Sequence, residues 1–375
     1  MERISLYQLF ILTVFFQVGT TIIFGFGAAA GNDSWIVTII SLIIGLFAIS
    51  IYLLLSYLNP GLTLVEWFPA QFGKWIGTPI AWLYPLLFLY EVGRILNDVK
   101  YLTTTIILVD TPFLAIIIFF LIAVAYLQFC GIEVIARMGE IFFPYFLAMI
   151  LGSIILIFAS DILKIENLLP ILKNGWKPIF ESAFPLGASQ GFAQSLELAM
   201  IWLLVNSSQK ELVKTTLFAT TFSGLIILIT VMMIITGLGE FFYKTESFPM
   251  FTLVSKVNIG GIIKNLDAFA VLLFIISSFF KISLHMFFAI RGIQILTKIE
   301  NSHKLIIPIV ILSIYLGYSV SANFQEHIKV AIEVFPYNLW ILLLWILPIL
   351  LLIVTLINRA INKGKKNFEQ MKERL

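Results

Sequence analysis

The sequence predicts an all-α integral membrane protein that spans the bilayer ten times, as two inverted five-helix repeats. Three observations lead there. Of 375 residues, 60% are hydrophobic and 12% charged, and the mean hydropathy is +1.02, against roughly a quarter charged in ordinary soluble domains. Apolar stretches approaching the ~20 residues that a helix needs to cross a bilayer recur along the chain. The first and the sixth of these, five apart, are interrupted by glycine and polar residues, and broken helices at corresponding positions of two halves point to an inverted repeat with a site between them.

The ten stretches run over 6–30, 35–58, 78–98, 112–130, 141–160, 184–205, 212–238, 266–290, 305–321 and 336–358. They divide one transmembrane domain, 1–375, into a first repeat at 1–160, a second at 179–358 and a basic tail at 359–375. The third stretch can extend as helix through 103–108, and a short polar turn around Glu133 and Arg137 separates the fourth from the fifth. The start, "MERISLYQLF", has no small-residue cleavage site after its apolar run, so it reads as the beginning of a retained span. An even count puts both termini on one side. The tail "NRAINKGKKNFEQMKERL" and the 291–304 connection with Arg291, Lys298 and Lys304 are basic, whereas the first loop, "AAGNDSW", has no Lys or Arg. Both termini are therefore expected in the cytoplasm. Loops 161–178 and 239–265 carry lysines but fall outside, where long loops weigh less.

The first stretch contains "QVGTTIIFGFGAAAG" at 17–31. Glycine costs a helix interior about 1 kcal/mol relative to alanine, and an unpaired backbone group in hydrocarbon costs several more, so this break is expected to face a polar cavity. Gly27 and Gly31, at four-residue spacing, suit helix packing, whereas Gly19, Thr20, Thr21 and Ile22 read as a site. In the third stretch Glu91, Arg94 and Asp98 share one helical face. Glu91 and Arg94 either neutralise each other as a structural pair or face a cavity, and Asp98 is placed at the membrane interface.

The sixth stretch reads "FPLGASQGFAQSLELAMIWLL", with Gly187, Ser189, Gln190 and Gly191 at its interrupted start. Amide groups at such a half-helix suit a carboxylate or another small polar group. Glu197, further along, either pairs with a neighbouring helix or meets substrate. In the eighth stretch Lys281 lies near mid-span, with Ser277, Ser278 and His285 on the same stripe. A charge there costs at least a few kcal/mol unless it is paired, so Lys281 reads either as a tether to the first break or proton carrier, or as a lysine that fixes packing. Phe24, Phe192 and Tyr90 are placed to close a pocket near the breaks.

Other chemistries find no support. Cys130 is single and His285, His303 and His327 are scattered, so neither a disulfide framework nor a metal or other cofactor is expected. The glycines follow neither a phosphate-loop nor a dinucleotide pattern and no nucleophile–base arrangement is visible, so the chain does not read as an enzyme. The net charge of +3 is a topology signal and gives no reason to expect nucleic acid.

Four blocks in order, "ISLYQLFILTVFFQVGTTIIFGFG", "YEVGRILNDVKYL", "LLPILKNGWKPIFESAFPLG" and "LDAFAVLLFIISSFFKISLHMFFA", resemble the B subunit of bacterial spore germinant receptors. That family is similar to amino-acid permeases of the amino acid–polyamine–organocation superfamily. The resemblance implies a LeuT-type, permease-like fold whose broken first and sixth helices, with the third and eighth, line a small-molecule site. On this chain that site comprises Gly19, Thr20, Thr21, Ile22, Tyr90, Glu91, Arg94, Gly187, Ser189, Gln190, Gly191, Ser277 and Ser278, with Lys281 or Glu197 as helix tether or proton site. It also implies assembly with an A subunit and a lipoprotein C subunit in the spore inner membrane, where a nutrient such as an amino acid triggers germination. One departure is Ala188, where many members place an acid after "FPxG". A proton-coupled amino-acid transporter of the same fold, and an ion-conducting or scaffolding subunit, are the competing functions.

Overall fold

The computed structural model describes residues 3–260, 263–264 and 266–372, so residues 1–2 and 373–375 of the expected domain and tail lie outside the described residues. The first helix, α1 (Leu6–Val18), starts on a capping box in which Ser5 and Gln8 satisfy each other's backbone N–H groups. It ends after 13 residues at Gly19, whose φ of 33° favours glycine. The chain then runs irregularly to a 3-10 segment, Ala28–Asp33, that leads straight into α2 (Ser34–Leu58). The first loop is thus mostly helical, and Gly27 and Gly31 are turn residues at φ 69° and 62° that also serve packing, since a β-carbon would stand 2.8 Å from Val37 at Gly27 and closer still to Glu240 at Gly31.

Next come α3 (Leu64–Phe72) and α4 (Lys74–Leu102), which continues through one wide turn to Ile107. Then α5 (Phe113–Cys130) and α6 (Ile132–Ala159) are divided by Gly131 alone. The polar turn expected around Glu133 and Arg137 is absent: both lie in the first turns of α6, 3.9 Å apart, because a glycine at φ 83° suffices to reverse the chain. The sixth stretch, preceded by α7 (Lys177–Ser182), is broken by an interruption at Phe184 (φ −137°, ψ 132°) into the single turn α8 (Ala188–Gly191) and 3-10 segments Ala193–Met200 and Trp202–Leu204.

The second half continues with α9 (Gln209–Thr245), kinked at Gly239, and α10 (Pro249–Ser255). A two-residue antiparallel pair, β1 (Asn258–Ile259) with β2 (Ile263–Lys264), precedes α11 (Asp267–Thr297). After α12 (His303–Ser319) the chain turns by 106° into the helix Phe324–Val334, which begins as α13 (Phe324–Lys329). A wide-turn segment, Pro336–Ile346, then passes into α14 (Leu347–Lys372). Two buried hydroxyls hold this last stretch: Tyr84 donates to the Leu343 carbonyl at 2.9 Å and Tyr52 to that of Leu344.

Among the described residues seven helices are long and apolar enough to cross a membrane, or eight counting the bent pair as one. Of the ten expected stretches, the first and the sixth are those with no such helix, and both are broken. The connections segregate to two faces. On one, Asn32 donates to the Leu169 carbonyl (3.1 Å), Asp33 accepts from the Leu172 N–H (2.9 Å) and Tyr243 donates to the Phe26 carbonyl (2.6 Å). On that face Phe324 also stacks edgewise on Tyr101. On the other, the Arg3 N–H bonds Glu133 (2.7 Å), Ile4 exchanges backbone bonds with the 204–206 connection, and Phe129 meets His303. The first set joins odd-numbered connections and the second even-numbered ones, as a chain crossing repeatedly requires. Exposed apolar side chains such as Phe47, Phe119 and Ile155 cover the outward sides of long helices, as surface lying against lipid does.

Candidate functional site

The two breaks meet in the middle of the fold, where α11 is wedged against both. Ser277 donates to the Gly19 carbonyl at 2.8 Å, taking up an acceptor that the end of α1 leaves open. A β-carbon at Gly19 would stand 2.6 Å from Lys281 Cδ and 3.5 Å from its Nζ, so the lysine stem lies directly on the glycine. Lys281 is 1% exposed. Its ammonium donates to Gln194 Oε1 (3.3 Å) on the sixth stretch and lies 5.5 Å from the centre of the Phe16 ring.

Around this lysine lies a polar layer. Gln17 Nε2 donates to Ser195 (2.8 Å) and Thr220 (3.0 Å), joining α1, the sixth stretch and α9. Glu197 pairs with His285 Nδ1 at 2.6 Å, both wholly buried, so its partner is one turn beyond Lys281 on the same α11 stripe. Gln17, Gln194, Ser195 and Thr220 do not figure among the expected site residues. The signal was there, since two glutamines stand in otherwise apolar runs, where an amide needs partners.

A second polar cluster lies on α4. Arg94 Nε donates to Glu91 (2.8 Å), Glu91 also accepts from Trp340 Nε1 (3.1 Å), and Arg94 Nη1 is 3.7 Å from Asp98. Asp98, expected at the membrane interface, is covered by protein: α13 folds over it and His327 Nε2 donates to its Oδ1 at 2.6 Å. Tyr90 stacks on Phe335 with ring centres 4.3 Å apart.

Beside the α4 cluster opens a cavity of about 470 Å³. Its walls are Thr21 and the 24–28 turn of the first break, Arg94 and Asp98 of α4, Leu186, Gly187 and Gln190 of the sixth stretch, the 243–247 end of α9, and the face of α13 that carries His327. It lies where the odd-numbered connections gather. Of the residues expected to bind a ligand, the structure brings Thr21, Arg94, Gly187 and Gln190 to this cavity. The rest stand behind its walls. Ser189 accepts from Trp345 (2.9 Å), Gly191 faces the Phe26 ring, and Thr20 and Ile22 are buried in the break. Glu91 lies behind Arg94, while Ser277, Ser278, Lys281 and Glu197 belong to the buried region around α11. Gly187 is helical (φ −58°) and packs against Ser41 of α2, so its small size serves helix contact. His327, a wall residue beside Asp98, is a participant that the sequence reading left aside. Among the described residues no group of three His, Cys, Asp or Glu is placed to hold a metal ion.

The two broken stretches thus border a half-enclosed cavity of mixed apolar and polar lining, with Arg94 and Asp98 among its walls. Residues 3–325 match the family model described as spore germination protein. The chain belongs to the spore germination protein family. Within it, the chain is 28% identical to spore germination protein KB of Bacillus subtilis (strain 168) over 370 residues, 99% of each chain. Spore germination proteins YndE and A2 of the same organism are each 26% identical, over 267 and 273 residues, about 70% of this chain and 71% of theirs. As a spore germination protein the chain has one further notable property: the matched segment contains both breaks and α4, while His327 lies just beyond it.

Proposed function

We propose that this family member is the membrane-embedded nutrient-sensing subunit of a spore germinant receptor, binding a small polar nutrient such as an amino acid. The cavity carries this reading: about 470 Å³ is a small-molecule volume, and it touches the first break, α4 and the sixth stretch together. In this reading the chain crosses the spore inner membrane ten times as two inverted repeats, 1–160 and 179–358, with both termini cytoplasmic. The segregation of connections to two faces supports it. An A subunit and a lipoprotein C subunit complete the receptor, as the resemblance to germinant-receptor B subunits implies. Occupancy signals by shifting a conformational equilibrium, and only by the ligand's differential affinity for the two states. No covalent chemistry is assigned to the site.

The test is deletion of the gene and measurement of spore germination against a nutrient panel, followed by complementation with Thr21→Phe, which fills the cavity. Loss of response to particular nutrients, restored by the parent and not by Thr21→Phe at equal abundance, is expected. An unchanged response to every nutrient in a strain without redundant receptors overturns the reading.

A second reading, a proton-coupled transporter, draws support from the titratable groups buried around α11, namely Lys281, Glu197 and His285. Uphill uptake by the isolated chain in proteoliposomes, driven by a pH gradient, favours it.

A further inference from the structure

We propose that the groove between the starts of α1 and α9 is a phospholipid site, in which one acyl chain lies against aromatic rings and the lipid phosphate meets Lys214. The site is on the face of the even-numbered connections, opposite the cavity, and its occupant is independent of what the cavity binds.

The groove encloses about 470 Å³ between Leu6, Tyr7 and Phe10 of α1 and two turns of α9 that run from Glu211 to Phe218. Its lining is mainly apolar. Phe10 and Phe218 stack with ring centres 5.6 Å apart, and Phe143 meets Phe10 edgewise at 5.8 Å. Tyr7 and Phe218 are more than half exposed, so the groove opens away from the helix bundle, where apolar surface lies against lipid. Left empty, such a groove forfeits the dispersion contacts of every atom that lines it.

Depth and charge select the occupant. Both helices begin here, each on a serine-headed capping box, and Ile4 exchanges backbone bonds with Leu204 and Asn206 just before α9. Capped helix starts belong at the edge of the hydrocarbon, where Tyr7 also fits the interfacial preference of tyrosine. The mouth of the groove is thus at headgroup level. Two charges stand in it. Glu211 is taken up by the α9 cap, accepting from the Ser208 N–H (3.3 Å) and hydroxyl (3.1 Å). Lys214 is exposed and forms no ion pair among the described residues, and Lys210, one turn earlier, is exposed as well. A phosphate ester complements this end and an alkyl chain the other.

A crossing helix of a partner fits less well. The α9 side of the groove extends only about 10 Å, whereas a helix is itself roughly 10–12 Å wide and packs along a seam of many turns. Moving from lipid tails into the groove, an acyl chain gains packing alone, because both surroundings are apolar. Retention of a particular lipid therefore depends on its headgroup, which makes Lys214 the residue to test.

The full chain, purified and stripped of lipid in detergent, is exchanged into micelles containing phosphatidylglycerol or the diacylglycerol with the same chains. Native mass spectrometry counts retained lipid, and the unfolding midpoint is a second readout. Expected are a phospholipid retained at least about fivefold better than the diacylglycerol and a midpoint raised by the phospholipid. Lys214→Ala should lower that retention by about fivefold, Lys214→Arg should preserve it, and Lys304→Ala, on the same face, should leave it unchanged. Thr215→Trp, which fills the groove, should abolish both the retention and the rise in midpoint. Retention of phosphatidylethanolamine that also depends on Lys214 supports the proposal, because the phosphate is shared. Equal retention of phospholipid and diacylglycerol, or retention unaltered in both Lys214→Ala and Thr215→Trp, overturns it. Displacement of the lipid by inorganic phosphate alone overturns it in favour of a simple anion site, and a dimer lost in Phe218→Ala does so in favour of a second copy of the chain.

Discussion

Lys281 shows what a single residue does at the first break. Its ammonium bonds Gln194 and its stem covers Gly19, so it serves two broken segments at once. Lys281→Met keeps the stem and removes the donor, leaving Gln194 Oε1 buried beside an Nε2 that already lacks a partner. The expected cost is about 1–3 kcal/mol, read as a lower unfolding midpoint of the purified protein together with a weakened nutrient response at matched abundance. Gly19→Val asks for a β-branched side chain at φ 33° in space held by Lys281, so it should be more damaging than Lys281→Met by the same two readouts. The need for glycine at 19 was legible in the sequence, because a break in an apolar run must be used by something. For Gly27 only part was legible: it does pack closely, on Val37 of α2, but its φ of 69° and its place on the cavity wall follow from the path of the turn.

At the scale of elements, α1 is held to α11 by the Ser277 hydroxyl on the Gly19 carbonyl. Ser277→Ala should leave that buried carbonyl unsatisfied, at about 1–3 kcal/mol. Amide hydrogen exchange should then rise across the last turn of α1, from Phe15 to Gly19, while the middle of α9 stays protected. Equal protection of that turn in variant and parent would mean that packing alone holds the break. The long helices α2, α4, α5, α9 and α11 lie where continuous apolar runs place them, because length and apolarity together fix a span. The bend between α12 and α13 was not legible. "SVSANFQEHIKV" carries an asparagine cap, and Asn323 does accept from the Glu326 N–H at 2.8 Å, but a cap fixes where a helix starts and says nothing of its direction. Nor does sequence place His327 on Asp98, 229 positions away. Such a contact is a product of tertiary packing.

For the whole molecule, the two-faced arrangement of connections makes a prediction that the native sequence can test unaided. Cys130 is the single cysteine of the chain and is exposed at the end of α5, next to the face where Phe129 meets His303 and the Arg3 N–H meets Glu133. With both termini cytoplasmic, a membrane-impermeant maleimide should fail to label it from outside intact cells expressing the protein and should label it after permeabilisation. Labelling from outside would invert the orientation and turn the cavity toward the cytoplasm. The expected even number of crossings was read from the count of apolar runs, and the expected orientation from loop charge. The gathering of odd connections around one cavity required the fold, since the 24–28 turn, the end of α9 and α13 are far apart in sequence and individually unremarkable.

The tyrosine hydroxyls on the carbonyls of Leu343 and Leu344 give the last stretch a fulcrum. From His327 to that clamp runs a stretch of about 16 residues, mostly wide-turn helix. A small displacement at the clamp is multiplied at the tip, and a push on the tip arrives at the clamp as torque on Tyr52 and Tyr84, which belong to α2 and α4. Motion of this arm would therefore reach the middle of the fold through two side chains, with no large rearrangement of the long helices themselves.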